Sequence, residues 1–191
     1  MKKVTFLVVM LAFFANISMA QNKERVNAFN YNKNAQSYIT TAEQLMVQNR
    51  ADKAQKQMAN AKIELTRAKT SIDLAAENEE TKNDAKTWHY YGVIYLKIAT
   101  YPEFNDIDTE ALTKCADAFK KLVELDETYF KNNYGEIITY IQSITTNYFN
   151  QGALAYEAGD YAKAIECYKQ AYNTMAIIGQ KDNEALLVAA Q

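Results

Sequence analysis

Along most of this chain the apolar residues return every three or four positions, and no segment alternates with period two for the length of a strand. That spacing is the repeat of a helix face, so it confines the fold class to all-α. Punctuation agrees. Five glycines and one proline, Pro102, cannot supply the tight turns of a β-rich fold. Ala, Lys, Glu, Gln and Leu fill many windows, and these are helix formers.

The N-terminus reads differently. Lys2 and Lys3 precede an almost wholly apolar run, Val4 to Ala15, and Ser18-Met19-Ala20 places small residues where signal peptidase needs them. Residues 1–20 are therefore expected to be a signal peptide cut before Gln21, the apolar run being shorter than the ~20 residues that span a bilayer. No cysteine follows the cut for lipidation, and no other stretch reads as an integral membrane segment of the mature chain. The expected location is the periplasm of a Gram-negative cell, with secretion as the alternative. Losing Lys2 and Lys3 leaves 19 basic against 23 acidic residues, a charge of −4, which argues against a nucleic-acid partner.

Gln21 to Asn34 is polar and Asn-rich and reads as a flexible lead-in. Residues 35–84 read as a helical hairpin, with helices at about 35–48 and 51–78 broken by Asn49-Arg50. Further helices are expected at about 85–100, 110–126, 134–158, 161–177 and from 183 onward. The run Glu77, Glu79, Glu80 reads as a solvated helix end. In the segment 100–110, Asp108 or Thr109 is expected to cap the next helix, because a calcium loop would need a glycine that is missing.

Two stretches carry a repeat. Trp88-x-x-Tyr91-Gly92-x-x-Tyr95 is followed, after about eleven extra residues, by Cys115-x-x-x-Phe119-x-x-Leu122 and Glu124-Leu125-Asp126. Tyr148-x-x-Gln151-Gly152 is followed by Gly159-Asp160-Tyr161, Lys163-Ala164-Ile165 and Tyr168-x-x-Ala171. These residues resemble the tetratricopeptide repeat (TPR) pattern W-x-x-L-G-x-x-Y…A-x-x-x-F. The layout is similar to small exported TPR proteins of Gram-negative bacteria. The resemblance implies a helix-hairpin solenoid of about three helix pairs plus a partial C-terminal helix. Its units would be 85–133, carrying the insertion at 100–110, then 134–178, then 179–191 as the start of a truncated further repeat. Trp88, Tyr91, Gly92, Tyr95, Cys115, Phe119, Tyr148, Gly152, Gly159, Tyr161, Ala164, Tyr168 and Ala171 would be the repeat-packing residues. Gly159 would end a helix with positive φ and Asp160 would cap the next.

The chemistry-bearing residues are sparse. His89 is the one histidine, placed by register on the exposed side of its helix, and a lone His builds no zinc site. No serine stands in a nucleophile motif, and the isolated glycines make no phosphate loop. Cys115 and Cys167 sit inside helices and are read as packing thiols. The expectation is a non-catalytic protein with no metal and no cofactor. The resemblance implies instead a groove for a protein or peptide partner. Its lining would be Lys86, His89, Val93, Leu96 and Lys97 from one unit, with Phe149, Ala153, Tyr156 and Glu157 from the next. TPR families that clamp a C-terminal carboxylate use a Lys and an Asn where this chain has His89 and Val93, so that ligand is not implied. A glycan or small ligand of the cell envelope is the alternative.

Overall fold

The computed structural model describes residues 2–180, with side chains from residue 23 onward. It is all-helical, and no strand occurs among the described residues. Seven α-helices follow in order: α1 (Lys2–Val47), α2 (Ala51–Glu77), α3 (Ala85–Thr100), α4 (Ala111–Leu125), α5 (Glu127–Asn132), α6 (Tyr134–Glu157) and α7 (Tyr161–Ala176). The chain divides into two compact units, Met1–Tyr90 and Tyr91–Gln191, with the division inside α3. The expected helix from 183 onward lies outside the described residues.

The first unit is an antiparallel pair of long helices. Asn34 Nδ2 donates to Glu64 Oε2 at 3.0 Å, and each residue stands fifteen positions from Asn49, which marks the turn. That turn is a helix stop of Schellman form. Arg50 N–H reaches back to the Leu45 carbonyl and Asn49 N–H to that of Met46. It requires positive φ at Asn49, which is 56°, a region asparagine tolerates.

The seam between α1 and α2 follows a strict heptad. Ala28, Ala35 and Ala42 are buried on α1, and Ala54, Ala61, Ala68 and Ala75 on α2. Ile39, Leu65 and Ile72 stand four residues after an alanine and are fully buried. A period of 3.5 keeps one face against a partner helix along the whole pair, as in a coiled coil. Each Ile or Leu supplies about 2 kcal/mol of burial and each alanine methyl under about 1 kcal/mol. The alanines therefore matter by size, since a small residue once per two turns lets the backbones approach. At mid-seam Glu64 is buried, and it accepts from Asn34 and from Arg67 Nη1 at 2.8 Å.

This seam corrects the reading of residues 21–34. They belong to α1, with Ala28 wholly buried, and Arg25 is paired with Asp84. Their polar composition is that of a helix with a narrow apolar stripe, and two alanines seven apart are enough to dock it. Asp84 Oδ1 accepts from Lys86 N–H at 2.9 Å, so one carboxylate both holds α1 and caps the start of α3.

The second unit contains the rest of α3 and everything after it. The 100–110 segment is anchored. Pro102–Phe104 forms a single 3-10 turn, and Phe104 is fully buried. Asp108 differs from its expected role. The residue preceding α4 is Glu110, with no side-chain cap bond. Asp108 Oδ1 instead accepts from Glu110 N–H, and its Oδ2 pairs with Lys114 Nζ at 2.8 Å. Asp126 ends α4 and caps α5, accepting from Tyr129 N–H at 2.8 Å. The α6–α7 turn is another Schellman stop, with Asp160 N–H on the Ala155 carbonyl and Gly159 N–H on that of Tyr156. Gly159 has φ 78°, and Asp160 caps α7 through Lys163 N–H at 3.1 Å.

Candidate partner-binding site

In each half of the second unit a glycine admits an aromatic ring. A Cβ built on Gly92 would sit 2.6 Å from Phe119 Cε2, and one on Gly152 would sit 2.8 Å from Tyr168 Cε1. Neither distance is one a real side chain tolerates, so α3 meets α4, and α6 meets α7, at contacts only glycine permits. The aromatic follows its glycine by sixteen residues in one pair and by twenty-seven in the other. The difference is eleven, the length of the segment 100–110. Cys115 Sγ, fully buried, donates to the Gly92 carbonyl at 3.1 Å, and burial pushes its thiol pKa well up. Both cysteines are free and buried.

Of the residues read as packing, most are buried or half-buried. Tyr95, Cys115, Phe119, Tyr148, Ala164, Tyr168 and Ala171 are buried, and Tyr91 stacks on Tyr95 at 4.3 Å. Trp88 is half-buried and its indole N–H donates to the Lys82 carbonyl at 2.7 Å. Gly159 and Tyr161 are the exceptions, Gly159 being exposed in its turn with nothing within 4 Å of a built Cβ. Tyr161 is 59% exposed, and its ring meets that of Tyr156, also 59% exposed, edge-on at 5.4 Å.

The residues read as groove lining divide. Lys86 and His89 fall in the first unit and the other seven in the second. His89 is only 5% exposed, which corrects its placement on the outer side of the helix. The helix carries apolar or aromatic residues at most positions from Trp88 to Tyr95, so sequence alone does not identify its dry side. Leu96 is buried too, which corrects its place in the lining. Lys97 is half-buried, and desolvation lowers its pKa to about 8. Val93 is half-buried, and Lys86 is exposed with its Nζ 5.7 Å from the centre of the Tyr90 ring.

On α6 the assigned residues lie nearer the surface. Phe149 is half-buried against Ala155, Ala164 and Tyr168. Ala153, Tyr156 and Glu157 are exposed. Positions 149, 153, 156 and 157 span an arc of about 100° on the helix, so they form one stripe. The sequence did not single out an open groove of about 580 Å3 between α4 and α7. Asp117, Lys120 and Val123 line one wall and Gln170 and Asn173 the other. Its signal was weak, since each wall reads only as the polar face of an amphipathic helix.

No family model matches the chain, and neither curated proteins nor solved structures yield a match. Among the described residues no group of three or more His, Cys, Asp or Glu could hold a metal ion. Among the same residues no helix is long and apolar enough to cross a membrane.

Proposed function

We infer that this chain is an exported, non-catalytic scaffold of TPR type, and that α6 and the turn to α7 hold a segment of a partner protein. The observation that carries the reading is the stripe on α6. In that hairpin the packing positions Tyr148, Gly152, Ala164, Tyr168 and Ala171 are buried, while Ala153, Tyr156 and Glu157, assigned to the lining, stay in solvent. Around that stripe Leu154, Tyr156 and Tyr161 are exposed together, and clustered apolar surface left open beside a closed core is a mark of interaction sites. The recurring glycine–aromatic contact, with its spacing reconciled by the 100–110 insertion, supports the repeat assignment.

Export is supported by the lengths of the first hairpin's arms. The α2 arm counts twenty-seven residues, and Gln21 to Val47 also counts twenty-seven. A chain cut after Ala20 would have two matched arms. The N-terminal mass of the protein recovered from an envelope fraction tests this, and a start well inside α1 overturns it.

The scaffold reading is tested by affinity capture from envelope extract. The parent is run beside a variant carrying Ala153→Glu and Tyr156→Ala whose far-UV circular dichroism is unchanged. Any captured protein is then purified and titrated calorimetrically. Saturable binding that the variant loses is the expected result. Equal binding by both proteins overturns the site, and a glycan that binds the parent in place of any protein favours the sugar-binding alternative.

A further inference from the structure

The surface around the α6–α7 turn also has a chemistry of its own. Tyr156 stands in the last turn of α6 and Tyr161 opens α7, and the Schellman turn at Gly159 brings their rings edge-on at 5.4 Å, each 59% exposed. An aromatic ring presents a negative face and a positive edge, so the edge-on pair holds itself together and leaves its remaining open faces, inclined at 66° to each other, to attract a cation. The charge around them has the same sign. Glu157 follows Tyr156 and Asp160 precedes Tyr161, and both are exposed. The last turn of α6 contains no basic residue to offset the negative end of the helix dipole. Lys163 is the nearest cation in sequence, and it lies about 200° around α7 from Tyr161. Beside the rings, Ala153 and half-buried Phe149 continue an apolar stripe along α6.

We propose that this corner takes an arginine of the partner, with the guanidinium laid in the open angle beside the Tyr156 and Tyr161 rings and Glu157 next to it, and the flanking apolar residues of that segment laid along Ala153 and Phe149. The inference rests on the scaffold reading and gives the partner segment a chemistry: apolar, basic and free of acid at its centre. Arginine fits better than lysine, because a planar, weakly hydrated guanidinium stacks on a ring while still donating to a carboxylate. An anionic or purely apolar segment would leave Glu157 and Asp160 facing like charge or no charge.

The probe is the peptide acetyl-Leu-Ala-Arg-Ala-Leu-amide, with counterparts carrying Lys, Gln or Glu in place of Arg. Each is titrated into the full chain with 13C-labelled tyrosine rings, and the Tyr156 and Tyr161 signals are followed by NMR. Saturable shifts at both rings are expected with the arginine peptide. Gln in its place should weaken binding about fivefold, the size of one exposed cation–π contact, and Glu should abolish it. Tyr156→Leu keeps apolar bulk without the ring face and should weaken the arginine peptide but not the glutamine one. Glu157→Gln should weaken it severalfold, less so at high salt. Equal binding of the Arg and Gln peptides, or shifts that never saturate, overturns the proposal. If the arginine peptide fails while a captured protein still depends on Tyr156, the scaffold reading stands and the arginine pocket falls. If the peptide binds and no partner protein is found, the pocket stands and the scaffold reading falls.

Discussion

The two units bring helices close together by different means. In the first, α1 and α2 share a seam with an alanine at every seventh position, so the approach is spread evenly over the length of the pair. In the second, the approach is made at single points, where Phe119 fills the space over Gly92 and Tyr168 the space over Gly152. A periodic seam makes a long uniform hairpin with little to distinguish one position from another, so a buried polar contact, Glu64 with Asn34, is placed where it can hold the register. A glycine–aromatic contact concentrates both energy and geometry in one ring and leaves the rest of each helix free to present other residues. The open stripe of Ala153, Tyr156 and Glu157 is found in the unit built the second way.

The sharpest way to break this contrast is Phe119→Ala. The ring is fully buried against Gly92 and stacks on Tyr140 at 5.6 Å. Its loss should cost about 4 kcal/mol in urea unfolding, and a cost near that of an exposed site would refute the concentrated contact. Next comes Ala61→Leu in the periodic seam, which should cost about 2 kcal/mol by overpacking. The neighbouring exposed Ala59→Leu serves as control and should stay within about 0.5 kcal/mol of the parent. Equal tolerance at 59 and 61 would dissolve the heptad. Asp160→Ala removes the cap of α7 and should cost about 1 kcal/mol, read as a shift of the unfolding midpoint without a change in slope.

The smallest effect is a pH dependence in the second unit. Burial holds Lys97 at about 8 against an ordinary value of 10.5. Between those values the unfolded chain keeps a proton that the folded chain has released, so the contribution of Lys97 to stability should rise as pH goes from 8 towards 10. Lys114 runs the other way, its pKa raised first by the hydrogen bond to Asp108, and its contribution is lost only as pH climbs past that raised value. Inside the window from 8 to 10 the two buried thiols oppose Lys97, since burial raises Cys115 and Cys167 above an ordinary 9.0 and the unfolded chain there loses protons that the folded chain keeps. Lys97 is therefore read as a difference, and Lys97→Met should make the slope of stability with pH more negative than the parent's.

Much of the second unit was legible from its residues. α3 was read as 85–100 and spans Ala85–Thr100, and the Gly159 stop and Asp160 cap stand where turn chemistry places them. These are local matters of spacing, backbone conformation and capping, which neighbouring residues decide among themselves. The first unit was less legible. Ala28 and Ala35 are too small to raise the apolar signal of a stretch full of Asn and Lys, and a heptad of alanines becomes visible only once a second helix is known to lie against it. α5, six residues long, has too few positions to show a period at all.

What the sequence determined by itself is therefore the class of fold, the places where helices stop, and the positions of Gly92 and Gly152 in the two helix pairs, while the rings those glycines meet came from the structure. Burial within a helix was decided by tertiary structure. His89 and Leu96 were assigned outward by the repeat arithmetic and lie inside, and Tyr161 was assigned inward and lies in solvent. A helix fixes the angular order of its side chains, but which arc stays dry depends on the number and direction of the neighbours packed against it, and those neighbours are residues far along the chain.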